Sequence, residues 1–368
     1  MSIAKSTAKW EENCIPSDSE AAPGMTELTS PETAPASGYR DAAQWPLERT
    51  RIFAKTWQFV THTSALPEPG SWIADTIAGY PILVLRDEAG AVRGFHNVCR
   101  HRAGPLTQGE SGRCADGALT CRYHGWRYAL DGRLRSARDF GPSAGFDPRE
   151  FSLFPVRVEI WRGCIFAALD PAIAPLAEIL APVTARIPGS DWASHHVALV
   201  RRHNLACNWK TYAENYLEGY HLPVLHPALC NEVDPAEYRA QVEGQIVFQE
   251  APPRTADTVY NGAFAFVWPT TAINLYNRGL MMERIMPLGH EATRLDYFYL
   301  MPAGEKLPPE TLILSDTVTG EDKRIVERVQ ENLNAAVHHT GRLSPRHEPA
   351  VAAFQGLVRA ALETNEIA

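Results

Sequence analysis

The sequence predicts an α+β protein built as two successive domains, and three patterns carry that reading. Between about residues 58 and 170, short apolar stretches alternate with turn dipeptides. Beyond about residue 170, strand-like and helix-like stretches fall into separate blocks. Before about residue 38 there is little periodic apolar content. Strands and helices segregated in this way define the α+β class. The boundaries expected are a mobile N-terminal segment over 1–38, a first domain over 39–170 that includes an N-terminal helix, and a second over 171–368.

Residues 1–38 are rich in Ser, Thr, Ala, Pro and Glu, a composition that buries too little apolar surface to fold alone. From Asp41 to Trp57 apolar residues recur at helical spacing, which predicts a helix. YPILVLR and AVRGFHNV then flank Asp87-Glu88-Ala89-Gly90, HGWRYAL and RLRSA flank Asp131-Gly132, and VRVEIW and CIFAAL flank Arg162-Gly163. Asp-Gly is a strong hairpin signal because both turn positions favour positive φ. Later, PLAEILAPVTARI and NLACNWKTYAENYLEGYHL read as helices, while AINLYN, LMMERIMP and TRLDYFYLMP read as consecutive antiparallel strands. A long helix is expected from about Glu321 to His338, and a last one from Pro349 to Leu362. No internal repeat is apparent.

At 368 residues the chain is long enough for two cores. Its net charge of −8 argues against a nucleic-acid partner, which needs clustered Lys and Arg. No apolar run approaches the roughly 20 residues of a membrane span. The N-terminus lacks the apolar core of a secretory signal. Seven widely spaced cysteines read as reduced thiols and metal ligands rather than a disulfide framework, so the expected location is cytoplasmic.

Two constellations carry chemistry. In the first, Cys99-Arg100-His101 is followed after nineteen residues by Cys121-Arg122-Tyr123-His124. Two loops that each present one Cys and one His suit a [2Fe–2S] cluster, with one iron held by Cys99 and Cys121 and the other by His101 and His124. Zinc is the bland alternative for two Cys and two His, but zinc fingers pair like with like, and here each unit is mixed. Cys114, in the intervening loop, has no partner His at the right offset.

In the second constellation, Glu218 and His221 lie three apart, on one face if the helix runs through them, and His226 follows. Pro223 and Pro227 are expected to stop that helix and swing His226 back toward His221. Two histidines with one carboxylate suit a non-haem Fe(II) with open positions. Asp322 is the candidate carboxylate, with Glu321 as a neighbour that could take its place. Thr319-x-x-Asp322 also fits a helix capping box that needs no metal.

These residues, together with Asn208-Trp209-Lys210, Glu214-Asn215-Tyr216 and Gly125-Trp126, resemble the catalytic α subunit of Rieske non-haem iron oxygenases, over roughly residues 40–340. The resemblance implies a Rieske β-sandwich followed by a helix-grip catalytic domain, with one [2Fe–2S] cluster and one Fe(II) per subunit. It implies Asp322 as the third iron ligand, and a catalytic role for Asn215. It also implies a head-to-tail homotrimer in which Glu218 bridges His124 of one subunit to His221 of the next. Many members carry Asp at that position, and Glu is similar to the branch acting on choline, carnitine and other betaines. Arg122 stands where the family's second motif has Pro, and the loop between the motifs is slightly long.

The activity this implies is a terminal oxygenase taking O2 and electrons from NADH. The electrons come through a separate flavin and iron–sulfur reductase, in some systems with a ferredoxin. No Gly-x-Gly-x-x-Gly fingerprint occurs in the chain itself. Tyr212, Tyr216, Tyr220, Trp268 and Tyr276 lie near the second motif or on the strands expected to wall its cavity, and could cage a quaternary ammonium by cation–π contact. The favoured reaction is hydroxylation or oxidative demethylation of a quaternary amine or betaine-like compound. The alternative is mono- or dioxygenation or demethylation of an aromatic, and more remote are a non-catalytic Rieske electron carrier and a metal-stabilised binding module.

Overall fold

A computed structural model describes residues 31–187 and 192–363. The expectation of a mobile N-terminus over residues 1–30 lies outside these. Residues 31–38 run along the 339–342 segment, where Thr33 N–H donates to the Gly341 carbonyl at 3.2 Å and Ala36 N–H to that of His339 at 2.9 Å.

Helices α1 (Ser37–Arg40) and α2 (Gln44–Arg51) lead into the first sheet. The helix expected to reach Trp57 ends at Arg51, and a short 3-10 turn, Phe53–Lys55, takes over. Ten strands follow: β1 (Gln58–His62), β2 (Ser71–Ile77), β3 (Tyr80–Arg86), β4 (Val92–His96), β5 (Ser111–Arg113), β6 (Ala118–Thr120), β7 (Arg127–Ala129), β8 (Leu134–Ser136), β9 (Pro155–Trp161) and β10 (Cys164–Ala168). Seven of them form one antiparallel sheet in the order β1-β10-β9-β4-β3-β2-β5, and β6-β7-β8 form a small separate sheet.

Turn chemistry sets these registers. Arg162 (φ 49°) and Gly163 (φ 82°) both adopt left-handed conformations, so Trp161 pairs directly with Cys164. At Asp131-Gly132 the outcome differs from expectation: Gly132 takes φ 91° and Asp131 does not take a positive φ.

Two short helices, α3 (Leu176–Ile179) and α4 (Ala181–Arg186), precede the second sheet. Its strands are β11 (His196–Leu205), β12 (Arg239–Glu243), β13 (Ile246–Glu250), β14 (Tyr260–Val267), β15 (Thr271–Tyr276), β16 (Leu280–Gly289) and β17 (Ala292–Met301), in the order β11-β17-β16-β15-β14-β13-β12. Between β11 and β12 come α5 (Trp209–Tyr216), α6 (Leu222–Leu225) and α7 (Pro227–Glu232). After β17 come α8 (Pro309–Asn334) and α9 (Pro349–Glu363).

One core spans both sheets, joining Val60 and Ile165 of the first to Ile285 and Leu295 of the second, with Phe53 of the 3-10 turn and Trp209 of α5 packed between them. Arg284 of β16 is buried across this junction, contacting Asp75 of β2 at 2.7 Å and also Asp296 of β17. A second buried ion pair, Lys210–Glu48, ties α5 to α2, and Trp209 Nε1 donates to the same Glu48 at 2.9 Å. Removing one partner of such a pair costs about 3–5 kcal/mol, because the other charge is left buried alone. Both motifs therefore sit on a rigidly joined frame.

Candidate metal centres and the cavity between them

Cys99 and Cys121 stand at the same point of two similarly folded loops. Cys99 N–H donates to the Gly104 carbonyl and Cys121 N–H to that of Trp126, each five residues on. Four residues after each Cys, Ala103 (φ 54°) and Gly125 (φ 75°) take the left-handed conformation, and their N–H groups return to the Cys carbonyls. This repeated loop geometry is too short to register as a repeat in the sequence. Gly104 allows the loops to approach closely, because a Cβ there would lie 3.0 Å from Cys121 Sγ.

Both thiols are buried, and Cys99 Sγ lies 3.2 Å from Tyr128 Oη. His101 and His124 sit nearer the surface with ring centroids 4.5 Å apart, and His101 stacks flat on buried Trp126 at 4.9 Å. His101 Nδ1 is buried without a hydrogen-bond partner, an orphan that a metal would satisfy. Tetrahedral zinc would draw all four donors to single-ion spacing. Among the described residues, the trio of ligand atoms that converges within 4.8 Å is instead His221, His226 and Asp322. The two thiols lie buried and the two imidazoles stand side by side nearer the surface, the sorting that a two-iron cluster with one iron on sulfur and one on nitrogen requires.

The second motif is built differently from the helix expected. Helix α5 ends at Tyr216, so Glu218 lies in the following turn and His221 caps α6. Pro223 falls in the first turn of α6 and Pro227 begins α7. The prolines thus start short helices instead of stopping one, as their missing N–H allows. His226 sits at the joint between the two.

Asp322 is buried in the middle of α8, which begins at Pro309, so the capping-box reading does not hold. Its Oδ1 lies 3.0 Å from His226 Nε2 and 3.8 Å from His221 Nε2. Each imidazole offers its other nitrogen to a carboxylate, His221 Nδ1 to Glu218 at 2.5 Å and His226 Nδ1 to Glu321 at 2.8 Å. Asn215 Nδ2 donates to Asp322 Oδ1 at 2.7 Å. Carboxylates behind the histidines fix their tautomer and aim, as at many metal sites. Glu321 therefore has a place of its own and does not substitute for Asp322.

A cavity of about 110 Å³ opens from this trio, floored by the second sheet. Tyr212 and Tyr216 line it as expected, together with Tyr238, Tyr260 and Phe264. Trp268 and Tyr276 are not in its wall. Trp268 packs on Phe354 and Trp209 in the core, while Tyr276 lies edge-on behind Tyr260. Tyr220 is exposed and stacks on His347.

The sequence reading missed Glu283, on β16. It lines the cavity, is 2% exposed, and accepts a hydrogen bond from Tyr212 Oη at 2.8 Å. Burial, reinforced by the charge of Asp322 and opposed by the Tyr212 bond, pushes its carboxyl up to about 8. The signal was available: Glu283 and Arg284 interrupt an otherwise apolar strand, and neighbours on a strand face opposite ways. Among the described residues, no Lys or Arg lines the cavity.

Residues 56–151 match the Rieske [2Fe-2S] domain family, and residues 190–364 match the ring hydroxylating alpha subunit (catalytic domain) family. The carnitine monooxygenase oxygenase subunit of Escherichia coli (strain K12) is 30% identical over 318 residues, covering 82% of this chain and 84% of that one. The chloroplastic choline monooxygenase of Atriplex hortensis is 29% identical over 338 residues, covering 84% and 73%. A solved quaternary ammonium Rieske monooxygenase, described in terms of carnitine oxidation and inter-subunit electron transfer, superposes with TM-score 0.82 at 26% identity. That superposition covers 90% of this chain and 96% of the other. Naphthalene 1,2-dioxygenase from Rhodococcus sp. shares the fold, with TM-score 0.73 at 21% identity over 90% and 95% of the two chains. The catalytic-domain match removes the reading as a bare electron carrier or a binding module. With a Rieske cluster in its first domain and a mononuclear iron in its second, the chain belongs to the Rieske non-haem iron oxygenases, as the oxygenase subunit of a multicomponent system that draws electrons from a reductase.

Proposed function

We infer that the substrate is a small quaternary amine or betaine-like compound, hydroxylated or oxidatively demethylated at a carbon beside the nitrogen. The observation that carries this reading is the character of the cavity: tyrosine-lined, with the acids Glu218, Glu283 and Asp322 in its wall and no Lys or Arg among the described lining residues. Aromatic faces and carboxylates attract a desolvated ammonium. Size points the same way, since a cavity of about 150 Å³ is known to hold benzene, and about 110 Å³ suits a compact molecule better than a fused ring system. The named activities of the carnitine and choline monooxygenases agree with this choice.

Cys99, His101, Cys121 and His124 would hold the cluster, and His221, His226 and Asp322 the mononuclear iron. When bound, the two centres supply stored electrons and dioxygen activation respectively. The chain's own groups supply the rest. Glu218 and Glu321 hold the two imidazoles by their Nδ1 atoms, so that both Nε2 atoms face the same space. Asn215 fixes the Asp322 carboxylate. The cavity tyrosines stay protonated, because burial raises Tyr212 and Tyr216 well above the ordinary phenol, and their hydroxyls orient Glu283 and Asn274.

In the assembly proposed, three copies pack head to tail and Glu218 links His221 to the neighbour's His124. The present geometry supplies the His221 half of that link. No described helix is long and apolar enough to cross a membrane. None of the six described cysteines is in a disulfide, in keeping with a cytoplasmic site of action. The decisive experiment pairs the purified chain with an NADH-dependent flavin and iron–sulfur reductase, and presents a panel of quaternary amines and substituted aromatics. Oxygen uptake coupled to product formation is expected for the amines, and coupling with the aromatics alone would overturn the reading.

A further inference from the structure

Within that reading of the site, we propose that Glu283 is the counter-charge for the substrate's cationic nitrogen, the specificity residue that holds the ammonium group while the carbon to be oxidised faces His221, His226 and Asp322. Placement is the first ground. Glu283 lies on β16 opposite Tyr297 of β17 and Ala272 of β15, two strand positions along from the pair Asn274–Met281 and so on the same face, and all of these except Ala272 contribute to the cavity wall. Among the described residues, this carboxylate, 2% exposed in the middle of a sheet, has no ion-pair partner. Its strand neighbour Arg284 points the other way and is taken by Asp75 and Asp296. Buried carboxylates normally find such a partner. The neighbours of Glu283 are the uncharged donors Tyr212, whose Oη donates to Oε1, and Asn274, and a cation placed beside the carboxyl favours the ionised form that burial alone disfavours.

The surroundings are the second ground. Tyr216, Tyr260 and Phe264 line the same cavity, and aromatic rings beside one carboxylate suit a methylated ammonium. One buried amide nitrogen in the wall, Gln249 Nε2, has no hydrogen-bond partner, although the Tyr238 hydroxyl pins the opposite oxygen of that amide. A donor left open in this way calls for an acceptor oxygen on the ligand. The cavity therefore fits a compact molecule with a cationic nitrogen at one end and an uncharged or weakly charged oxygen function at the other. A free carboxylate would meet no guanidinium or ammonium among the described lining residues.

The test compares a trimethylammonium alcohol (choline) with its uncharged carbon isostere, 3,3-dimethylbutan-1-ol, by calorimetric titration of the iron-loaded protein. Wild type is expected to bind the cation at least about 30-fold more tightly, the scale of one buried charge partner. Glu283→Gln should remove most of that preference while leaving affinity for the neutral isostere unchanged, and Glu283→Asp should fall between. Tetramethylammonium should compete with choline on the wild type, an arm that needs no variant to fold. Equal affinities for cation and isostere, binding of neither, or an undiminished preference in Glu283→Gln would each overturn the assignment. The outcomes also separate it from the proposed activity. Glu283-dependent cation binding without coupled product would break the activity and leave the anchor, whereas amine oxidation with an indifferent Glu283→Gln would break the anchor alone.

Discussion

The two lobes of the molecule solve one problem, the fixing of metal donors, by opposite means. In the first lobe the four donors come from two short loops within 26 residues of chain, Cys99 to His124. Each loop is closed by its own backbone hydrogen bonds, and together they sit at an open face with Tyr123 exposed beside them. In the second lobe His221 and His226 come from one segment, but Asp322 arrives from a helix about a hundred residues on, and the cavity wall comes from several strands of the seven-stranded sheet. A cluster that only passes electrons needs local rigidity and access. An iron that must meet a substrate needs a pocket, and a pocket requires distant parts of the chain. The lobes should therefore respond to mutation independently at the metals and become coupled only through Glu218.

The largest effect tests that independence. His226→Ala should abolish turnover and lower iron content toward two per chain, yet leave the visible spectrum of the cluster unchanged. Cys99→Ala should erase the visible spectrum and leave the mononuclear iron in place. Loss of colour in His226→Ala would mean that the two lobes do not hold their metals separately.

The coupling between lobes comes next. Glu218 accepts from His221 Nδ1 at 2.5 Å and from the backbone N–H of Tyr220 and His221, so it is well held on one side. Glu218→Gln should retain both metals and slow cluster oxidation in rapid mixing with substrate and oxygen by roughly 10- to 100-fold, the scale of one charge-assisted hydrogen bond. A normal oxidation rate would remove Glu218 as the bridge. Mixing Glu218→Gln chains with Cys99→Ala chains should restore a fraction of turnover only if electrons cross between subunits.

Within the second lobe, Asn215→Ala removes the donor to Asp322 Oδ1. A partner one shell behind a metal ligand typically accounts for about 10–100-fold in affinity. Iron dissociation measured against a chelator should accelerate on that scale, with the cluster spectrum untouched. An unchanged iron off-rate would reduce Asn215 to packing.

Legibility in the sequence follows the same division. Cys99, His101, Cys121 and His124 could be read from spacing alone, because the loops that carry them are local. Turn dipeptides gave the hairpin at Arg162-Gly163 for the same reason. Asp322 could not be read so directly: α8 begins well before the Glu321 at which local signals place its start, because tertiary packing of Thr311, Ser315 and Thr319 extends it. The prolines at 223 and 227 carried an ambiguous message, since Pro both ends helices and begins them. Trp268 and Tyr276 have the right chemistry on the right sheet but lie beyond the cavity, a matter of which layer a side chain occupies. Glu283 was visible as a charge in an apolar strand, and what it faces depended on strands far away in sequence.

The smallest effect expected concerns another carboxyl in the same lobe, Glu214, on α5 one residue before Asn215. Tyr39 Oη donates to its Oε1 at 2.5 Å and Gln355 Nε2 to the same oxygen at 3.2 Å, which ties the N-terminal segment and α9 to the helix behind the iron site. Burial pushes this carboxyl up from 4.5 to about 7, against those two hydrogen bonds. A carboxyl that is harder to ionise in the folded than in the unfolded chain stabilises the fold fully below about pH 4.5, and that contribution is lost as pH rises through about 7. A tenfold difference in proton affinity between the folded and unfolded chain corresponds to about 1.4 kcal/mol, so roughly 1–3 kcal/mol should disappear between about pH 5 and 8. Both hydrogen bonds fall on one oxygen, which an amide can supply equally well. Glu214→Gln should therefore keep its stability near pH 5 and lose less of it by about pH 8, seen as a smaller fall in the denaturant midpoint. His124→Ala, in the open first lobe, should leave that pH dependence as it is in the wild type. If wild type and Glu214→Gln lose the same stability over this range, the Glu214 carboxyl is already ionised at its acid end and the helix behind the iron site carries a negative charge, most directly balanced by Lys210.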